Sequence, residues 1–384
     1  MTLSADPITV VPERRSILFV TGTRADFGKI EPLAAACRDA GHDVSFFVTG
    51  MHMLRRYGET RLEVRRFPGA TVHEYVNQSH GDPLDLVLSK TVIGFSDWID
   101  EHRPDLVVAH GDRVEALAVG LVCAMRYVPC AHIEGGELSG TIDELFRHCN
   151  TKLSRHHFVS SEDAKRRVVS LGESPDDVHV IGSPELDVHG APSQVCLDEV
   201  RAHYEIGFEE YGIVVFHPVT SEADTIGAQA TTLFRALVAS GRSFVVIAPN
   251  NDPGSNEIFA EIELLPSDRF RVVPSMRFAH FSRLMKSASV IAGNSSLGVR
   301  EAPFLGVPSL DVGTRQQGRS DAPSITHVDA FDQAAIERAL EVQWGRRFER
   351  SDSFGAGNAA ASFVEVLERS DFWERPRQKQ FFQR

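Results

Sequence analysis

Short apolar runs alternate with amphipathic stretches along almost the whole chain. Residues 16–22 (SILFVTG) and 43–50 (DVSFFVTG) are nearly unbroken in apolar character and both close on Thr-Gly, as strands buried on both faces of a parallel sheet do. Residues 29–40, between them, carry helical spacing. Two such units in succession predict a doubly wound sheet. The runs at 106–109 (LVVA), 127–133, 156–161 (HHFVSS) and 178–187 (VHVIGSPELD) extend this first half to about residue 187, and APSQ at 191–194 reads as a linker. The alternation then restarts at 211–220 (YGIVVFHPVT), 242–252, 270–275, 289–296 (SVIAGNSS) and 307–313, with a helical stretch at 278–288. A last helix is expected over 357–370, before a polar tail.

The pattern therefore divides the chain into a Rossmann-like domain over 1–187, a second over 188–365, and a tail over 366–384 expected to pack back on the first domain. Two such domains facing each other across a cleft form the α/β architecture called GT-B, with a nucleotide held mainly by the second lobe. At 384 residues the chain exceeds one ordinary core, which agrees with two domains. A formal net charge of −13 argues against non-specific nucleic-acid binding but leaves room for a local basic pocket. The five cysteines are widely spaced, odd in number and free of any CxxC pair. They suggest neither a disulfide framework nor a zinc ribbon, and a reducing cytoplasm fits best. No apolar stretch approaches the length that spans a bilayer, so no membrane partner is expected. The first dozen residues lack a signal-peptide core and read as a loose tail.

Chemistry concentrates at the carboxyl ends of the expected strands, where open α/β sheets bind ligands. The first half delivers His110, Gly111 and Asp112 after one strand and Glu134 after the next. A helix opening near Thr141 follows, with Asp143 and Glu144 in its first turn. Any one of these carboxylates alone reads as a helix cap or a solvated loop charge. Their joint placement points to an active site. In the second half, GNSSLGVREAPFLGVP predicts a strand ending at Gly293 and a helix from near Leu297. That geometry aims backbone N–H groups and the Ser295 and Ser296 hydroxyls at a diphosphate, with Glu301 in reach of a ribose. An ordinary Asn-Ser cap with a solvated Glu301 is the bland alternative. GTRADFGK (22–29) and GTRQQGR (313–319) place Arg24, Lys29, Arg315 and Arg319 in glycine-bounded loops suited to phosphates. The dinucleotide fingerprint is absent after the first strand, which argues against a nicotinamide dehydrogenase. No HExxH spacing appears, and no metal or other cofactor is expected.

Taken in order, GTRADFGK, TGMH, HGDRVEAL, HIEGGELSGTIDELFRH, IGSPELD, GNSSLGVREAP and GTRQQGR resemble the UDP-N-acetylglucosamine 2-epimerase family, from about residue 16 to 365. The likeness is to its hydrolysing branch: the non-hydrolysing branch has Pro-Glu after the arginine of the first loop and a PEE-type motif where this chain has TIDE. The resemblance implies loss of the carbon-2 proton of a UDP-sugar and expulsion of UDP to give a 2-acetamidoglucal. Water then adds to release a free manno-configured amino sugar. It implies Asp112, Glu134, Asp143 and His217 as catalytic groups. Arg24, Lys29, Ser295, Ser296, Glu301 and Arg315 would bind UDP, with Phe281 against uracil. His52, Arg113, His132, Glu144 and Arg147 would contact the sugar or support the carboxylates. It implies a homodimer or homotetramer. A UDP-2,4-diacetamido-trideoxy sugar is the alternative substrate. A non-hydrolysing epimerase and a glycosyltransferase of the same fold are the alternative activities.

Overall fold

A computed structural model of the chain describes residues 13–139, 142–193, 195–250 and 252–383. The expected N-terminal tail, Thr141 and Gln194 of the expected linker lie outside the described residues. The first sheet contains β1 (Ser16–Thr21), β2 (Asp43–Val48), β3 (Thr71–Glu74), β4 (Leu106–His110), β5 (Cys130–Ile133), β6 (His156–Val159) and β7 (Val178–Val180), in the order β3-β2-β1-β4-β5-β6-β7. The second contains β8 (Gly212–Val215), β9 (Phe244–Ile247), β10 (Phe270–Val273), β11 (Val290–Gly293), β12 (Ser309–Val312) and β13 (Ile325–Val328), in the order β10-β9-β8-β11-β12-β13. The strand pairs of both sheets are parallel, as in β1 with β4 and β8 with β11. In each sheet the strand order reverses next to the first strand, which opens a crevice at the carboxyl ends of β1 and β4 in one lobe and of β8 and β11 in the other.

Strand residues divide between two faces, so consecutive apolar positions enter different cores. Ile17 and Phe19 pack with Phe27, Phe46, Leu106 and Val108 on one side of the first sheet, and Leu18 and Val20 with Phe47, Phe95, Trp98 and Val107 on the other. Val214 and Phe216 face Leu233, Phe244 and Leu310, whereas Ile213 and Val215 face Tyr211, Leu284 and Ile291. This two-sided burial is why the strands read as continuous apolar runs.

Two local features correct the sequence reading. The first helix spans Arg24–Asp39, because Thr23 accepts from the Asp26 N–H and Asp26 reaches back to the Thr23 N–H in a capping box. Arg24 and Lys29 therefore ride the first two turns of a helix, not a loop. After β11 no long helix begins at Leu297. A single 3-10 turn, Ser296–Gly298, is followed by the short helix Glu301–Phe304.

The chain crosses between lobes twice at one place. Ser183, on the way out, donates its N–H to the carbonyl of Phe354, on the way back, at 2.7 Å. Helix Ala359–Leu367, which the alternation had grouped with the second half, packs on the first lobe through Ala359, Phe363 and Leu367. No helix among the described residues is long and apolar enough to cross a membrane.

Candidate active site

The two aspartates that the sequence placed on neighbouring turns face the interlobe cleft side by side in opposite electrostatic settings. Asp112 follows β4, and Asp143 opens helix Ile142–Leu153. Burial works to raise the Asp112 carboxyl, but Arg147 in contact with it, and His110, Arg315 and Arg113 nearby, bring it below the usual range. Asp143 is pushed up to about 6, by burial first and by the charge of Asp112 second, with Arg113 pulling the other way. One carboxylate of the pair is thus held ionised while the other exchanges its proton near neutrality.

The backbone before Asp112 is tightly held. Gly111 has φ +72°, and its carbonyl accepts from His132 Nε2 at 2.7 Å and Asn150 Nδ2 at 3.1 Å. His132 is fully buried, and its Nδ1 accepts from the Thr151 hydroxyl at 3.1 Å. Burial depresses this imidazole to about 3, so it is neutral. Arg147 also donates to the Glu137 carbonyl at 3.0 Å. Glu144 caps the Ser139 N–H and lies 3.7 Å from His148. His52 is fully buried, with both ring nitrogens engaged: Nε2 lies 2.9 Å from the Thr21 hydroxyl and Nδ1 2.7 Å from that of Thr60. Both ring nitrogens of His132 and of His52 are thus engaged in holding backbone and neighbouring hydroxyls.

Across the cleft, Arg113 reaches Asp252 of the second lobe at 3.4 Å. His217, after β8, accepts the Asn250 N–H on its Nδ1 at 3.1 Å. Burial and then the charges of Arg315 and Arg113 depress His217 to about 3. The ring is neutral, its Nδ1 lone pair is occupied, and the remaining proton sits on Nε2 as a donor.

Glu134 occupies a different position. Its backbone has φ +63°, an unusual conformation for a residue with a side chain. Its carboxylate takes Lys29 at 2.9 Å, His110 at 3.1 Å and the Ser183 hydroxyl at 3.1 Å, with Arg300 at 2.5 Å. Burial opposes its charge, yet Arg300 and Lys29 hold it well below the usual range. Arg300 and Lys29 also pair with Glu185 at 3.1 and 3.3 Å. Glu185 is fully buried and rises to about 7, through burial and the neighbouring Glu134 charge. Glu134 stands one histidine away from Asp112, locked in the charged form.

The turn after β11 forms the rest of the cleft wall. Asn294 clamps His217 with two bonds, from the His217 N–H at 2.7 Å and to its carbonyl at 2.8 Å. The Asn294 carbonyl accepts from Arg315 at 3.1 Å and Gln316 at 2.9 Å. Ser295 and Ser296 are partly exposed beside it. Glu301 is buried 3.7 Å from His189. Arg24 lies 3.4 Å from Glu63, with two buried guanidinium nitrogens lacking a hydrogen bond. Phe281 is half-buried against the second-lobe core. Among the described residues no group of three His, Cys, Asp or Glu side chains is placed to hold a metal ion.

Arg300, Glu185, Asn294 and Asp252 escaped the sequence reading. Arg300 adjoins Glu301 in the same motif, but only the fold reveals that it points back at the first lobe while Glu301 faces His189.

Fold and cleft define a two-lobed nucleotide-sugar protein of GT-B type. The family model described as UDP-N-acetylglucosamine 2-epimerase matches residues 35–368, and the chain belongs to that family. It is 43% identical to the UDP-N-acetylglucosamine 2-epimerase of Neisseria meningitidis serogroup B, over 96% of this chain and 98% of the relative. It is 30% identical to the UDP-N,N'-diacetylbacillosamine 2-epimerase (hydrolyzing) of Legionella pneumophila, over 92% and 95%. The fold matches a UDP-GlcNAc 2-epimerase from Neisseria meningitidis bound to UDP-GlcNAc, with TM-score 0.75 and 20% identity over 91% of this chain and 99% of that one. The enzyme from Methanocaldococcus jannaschii in complex with UDP-GlcNAc and UDP also matches, with TM-score 0.75, 18% identity and the same coverage.

Proposed function

We propose that this chain is a hydrolysing UDP-N-acetylglucosamine 2-epimerase, converting UDP-N-acetylglucosamine to UDP and N-acetylmannosamine. The observation that carries the reading is the Asp112–Asp143 pair, whose carboxyls are driven to opposite sides of their common starting value. A base takes the proton from carbon 2 as the bond from carbon 1 to the diphosphate oxygen breaks, leaving a double bond between carbons 1 and 2. Water then returns a proton to carbon 2 on the opposite face and a hydroxyl to carbon 1, so both steps need a carboxyl that exchanges a proton at neutral pH. Asp143 has that property, and Asp112 with Arg147 is its charged partner.

Neutral His217 offers a donor to the departing diphosphate, as electrostatic stabilisation of a leaving group requires. Arg24, Lys29, Arg315, Ser295 and Ser296 complete the anion site, Glu301 takes the ribose and Phe281 flanks the base. Glu134 serves as fixed negative charge beside the sugar and not as a proton carrier, because Arg300, Lys29 and His110 surround it. Glu144 supports the start of the Asp143 helix. The hydrolysing branch is favoured by the 30% identical Legionella relative, whose name includes that property. A homodimer or homotetramer belongs to the same reading. Exposed Ile93 lies on helix Leu84–His102 and exposed Met125 on the packed helix Val114–Arg126, which offers apolar surface for it.

Incubation with UDP-N-acetylglucosamine in deuterated water tests the reading. Free N-acetylmannosamine deuterated at carbon 2, with UDP released in equal amount, is the expected result. A product still attached to UDP would mean a non-hydrolysing epimerase, and transfer without exchange at carbon 2 a glycosyltransferase. The Legionella and Campylobacter jejuni relatives favour a second substrate, a UDP-diacetamido sugar. Comparing kcat/KM for the two sugars decides between them.

A further inference from the structure

Helix Ile142–Leu153 carries Asp143 and Arg147 in its first two turns, yet its other end is held by a segment far away in sequence. The last carbonyls of a helix have no partner within it. Here Lys379 Nζ donates to the carbonyls of Thr151 at 2.9 Å, Lys152 at 2.9 Å and Ser154 at 2.6 Å, and pairs with Glu173 at 2.6 Å. A cation at this end also complements the helix dipole. The link continues toward the cleft. The Thr151 hydroxyl bonds His132, His132 donates to the Gly111 carbonyl, and Gly111 precedes Asp112. One ammonium thus closes a path to both aspartates, along the helix axis to Asp143 and through His132 to Asp112.

The tail that brings Lys379 here is seated along its length. Phe372 stacks on His156 at 3.8 Å, Phe382 donates its N–H to the Gly172 carbonyl at 3.0 Å, and Lys152 lies 5.1 Å from the Phe381 ring. The charged and titratable groups around Lys379 are Glu173, Lys152, Arg155, His157 and Cys130.

We propose that Lys379 is a positioning residue for the reaction, fixing from its carboxyl end the helix that carries Asp143 and Arg147. The inference rests on the assignment of Asp112 and Asp143 made above. It is tested in the full chain with Lys379→Met, which keeps the stem and removes the donors, and Lys379→Arg, which keeps donors. Folded sites are counted by UDP-binding calorimetry, and kcat, KM and the pH profile of kcat are expressed per site. Lys379→Met is expected to lower kcat per site roughly tenfold, as a small misplacement of a reacting group does. KM should hold, the limb of the profile near 6 set by Asp143 should move, and Lys379→Arg should restore most of the loss. A wild-type kcat per site in Lys379→Met overturns the proposal. So does a loss accounted for by fewer UDP-binding sites with the profile unmoved, which is the signature of a purely structural tail. A carbon-13 carboxyl titration of Asp143 in wild type and Lys379→Met tests the link without turnover, the expected displacement being more than about half a unit. An unmoved Asp143 overturns the positioning role, whereas failure of the wild type to release UDP from a UDP-sugar overturns only the reaction assigned to it.

Discussion

Asp143 sits in a setting that favours its protonated form, and this has a thermodynamic signature separate from activity. Its folded value, about 6, lies above the ordinary 3.8, so between those values the native state binds more protons than the unfolded state. Stability from this group is therefore present at low pH and lost as pH rises through about 6. Asp143→Asn should stabilise the protein at pH 7.5 by on the order of 1–2 kcal/mol and leave it nearly unchanged at pH 4, as urea unfolding at the two pH values would reveal. Arg300 presents the opposite case. It is the shared counter-charge of buried Glu134 and Glu185. Arg300→Met leaves those carboxylates facing each other and should cost about 3–5 kcal/mol in the same measurement. The proposed function divides the labour between the two lobes. Asp112→Asn should keep UDP affinity within about twofold while reducing kcat by at least roughly 100-fold. Glu301→Ala should chiefly weaken UDP binding, and calorimetry beside turnover assays separates the two.

Elements bring these residues together through their ends. The turn after β11 depends on Gly293, whose φ is +132° and where an added Cβ would lie 2.0 Å from the Val215 carbonyl oxygen. Gly293→Ala must displace β8 from β11 or distort the turn, and the Asn294 clamp on His217 goes with it. A loss of about 2–3 kcal/mol is expected, with weakened UDP binding measured by calorimetry. Legibility in sequence followed burial. The central strands, covered on both faces, appear as apolar runs, and their ends mark Asp112, Glu134, His217 and Gly293. The edge strands β3 and β13 went unread because neither holds a fully buried residue, so neither forms an unbroken apolar run. The start of helix Arg24–Asp39 was also missed. Its capping box ends in Asp26, and the charged first turn resembles a loop until Thr23 and Asp26 are seen to bond each other.

Across the whole molecule, the lobes meet through charged residues, through Phe278 packed on Gly28, and through a close backbone crossing. An added Cβ on Gly355 would lie 2.7 Å from the Gly182 Cα, so the outgoing and returning segments touch only because both positions are glycine. Lobes joined this way are suited to closing on a nucleotide and excluding water during the proposed elimination. Small-angle scattering should register contraction on adding UDP. Gly355→Val, which forces the crossing apart, should reduce that contraction and cost about 1–3 kcal/mol in stability. Unchanged scattering of the wild type with saturating UDP would count against closure.

The order of apolar runs, their Thr-Gly endings and the acidic and hydroxylic motifs behind them determined the doubly wound class and most cleft residues, because strand burial and turn chemistry are local properties. Tertiary structure alone decided the state of each side chain. Asp112 and Asp143 carry the same carboxyl, and only their neighbours from other elements separate them. Glu134 became a fixed charge because Arg300 from the second lobe reaches it, and His217 a donor because Asn250 occupies its other nitrogen. Charge state depends on burial and on through-space partners, and those partners are distant in sequence: Arg300 lies 166 positions from Glu134.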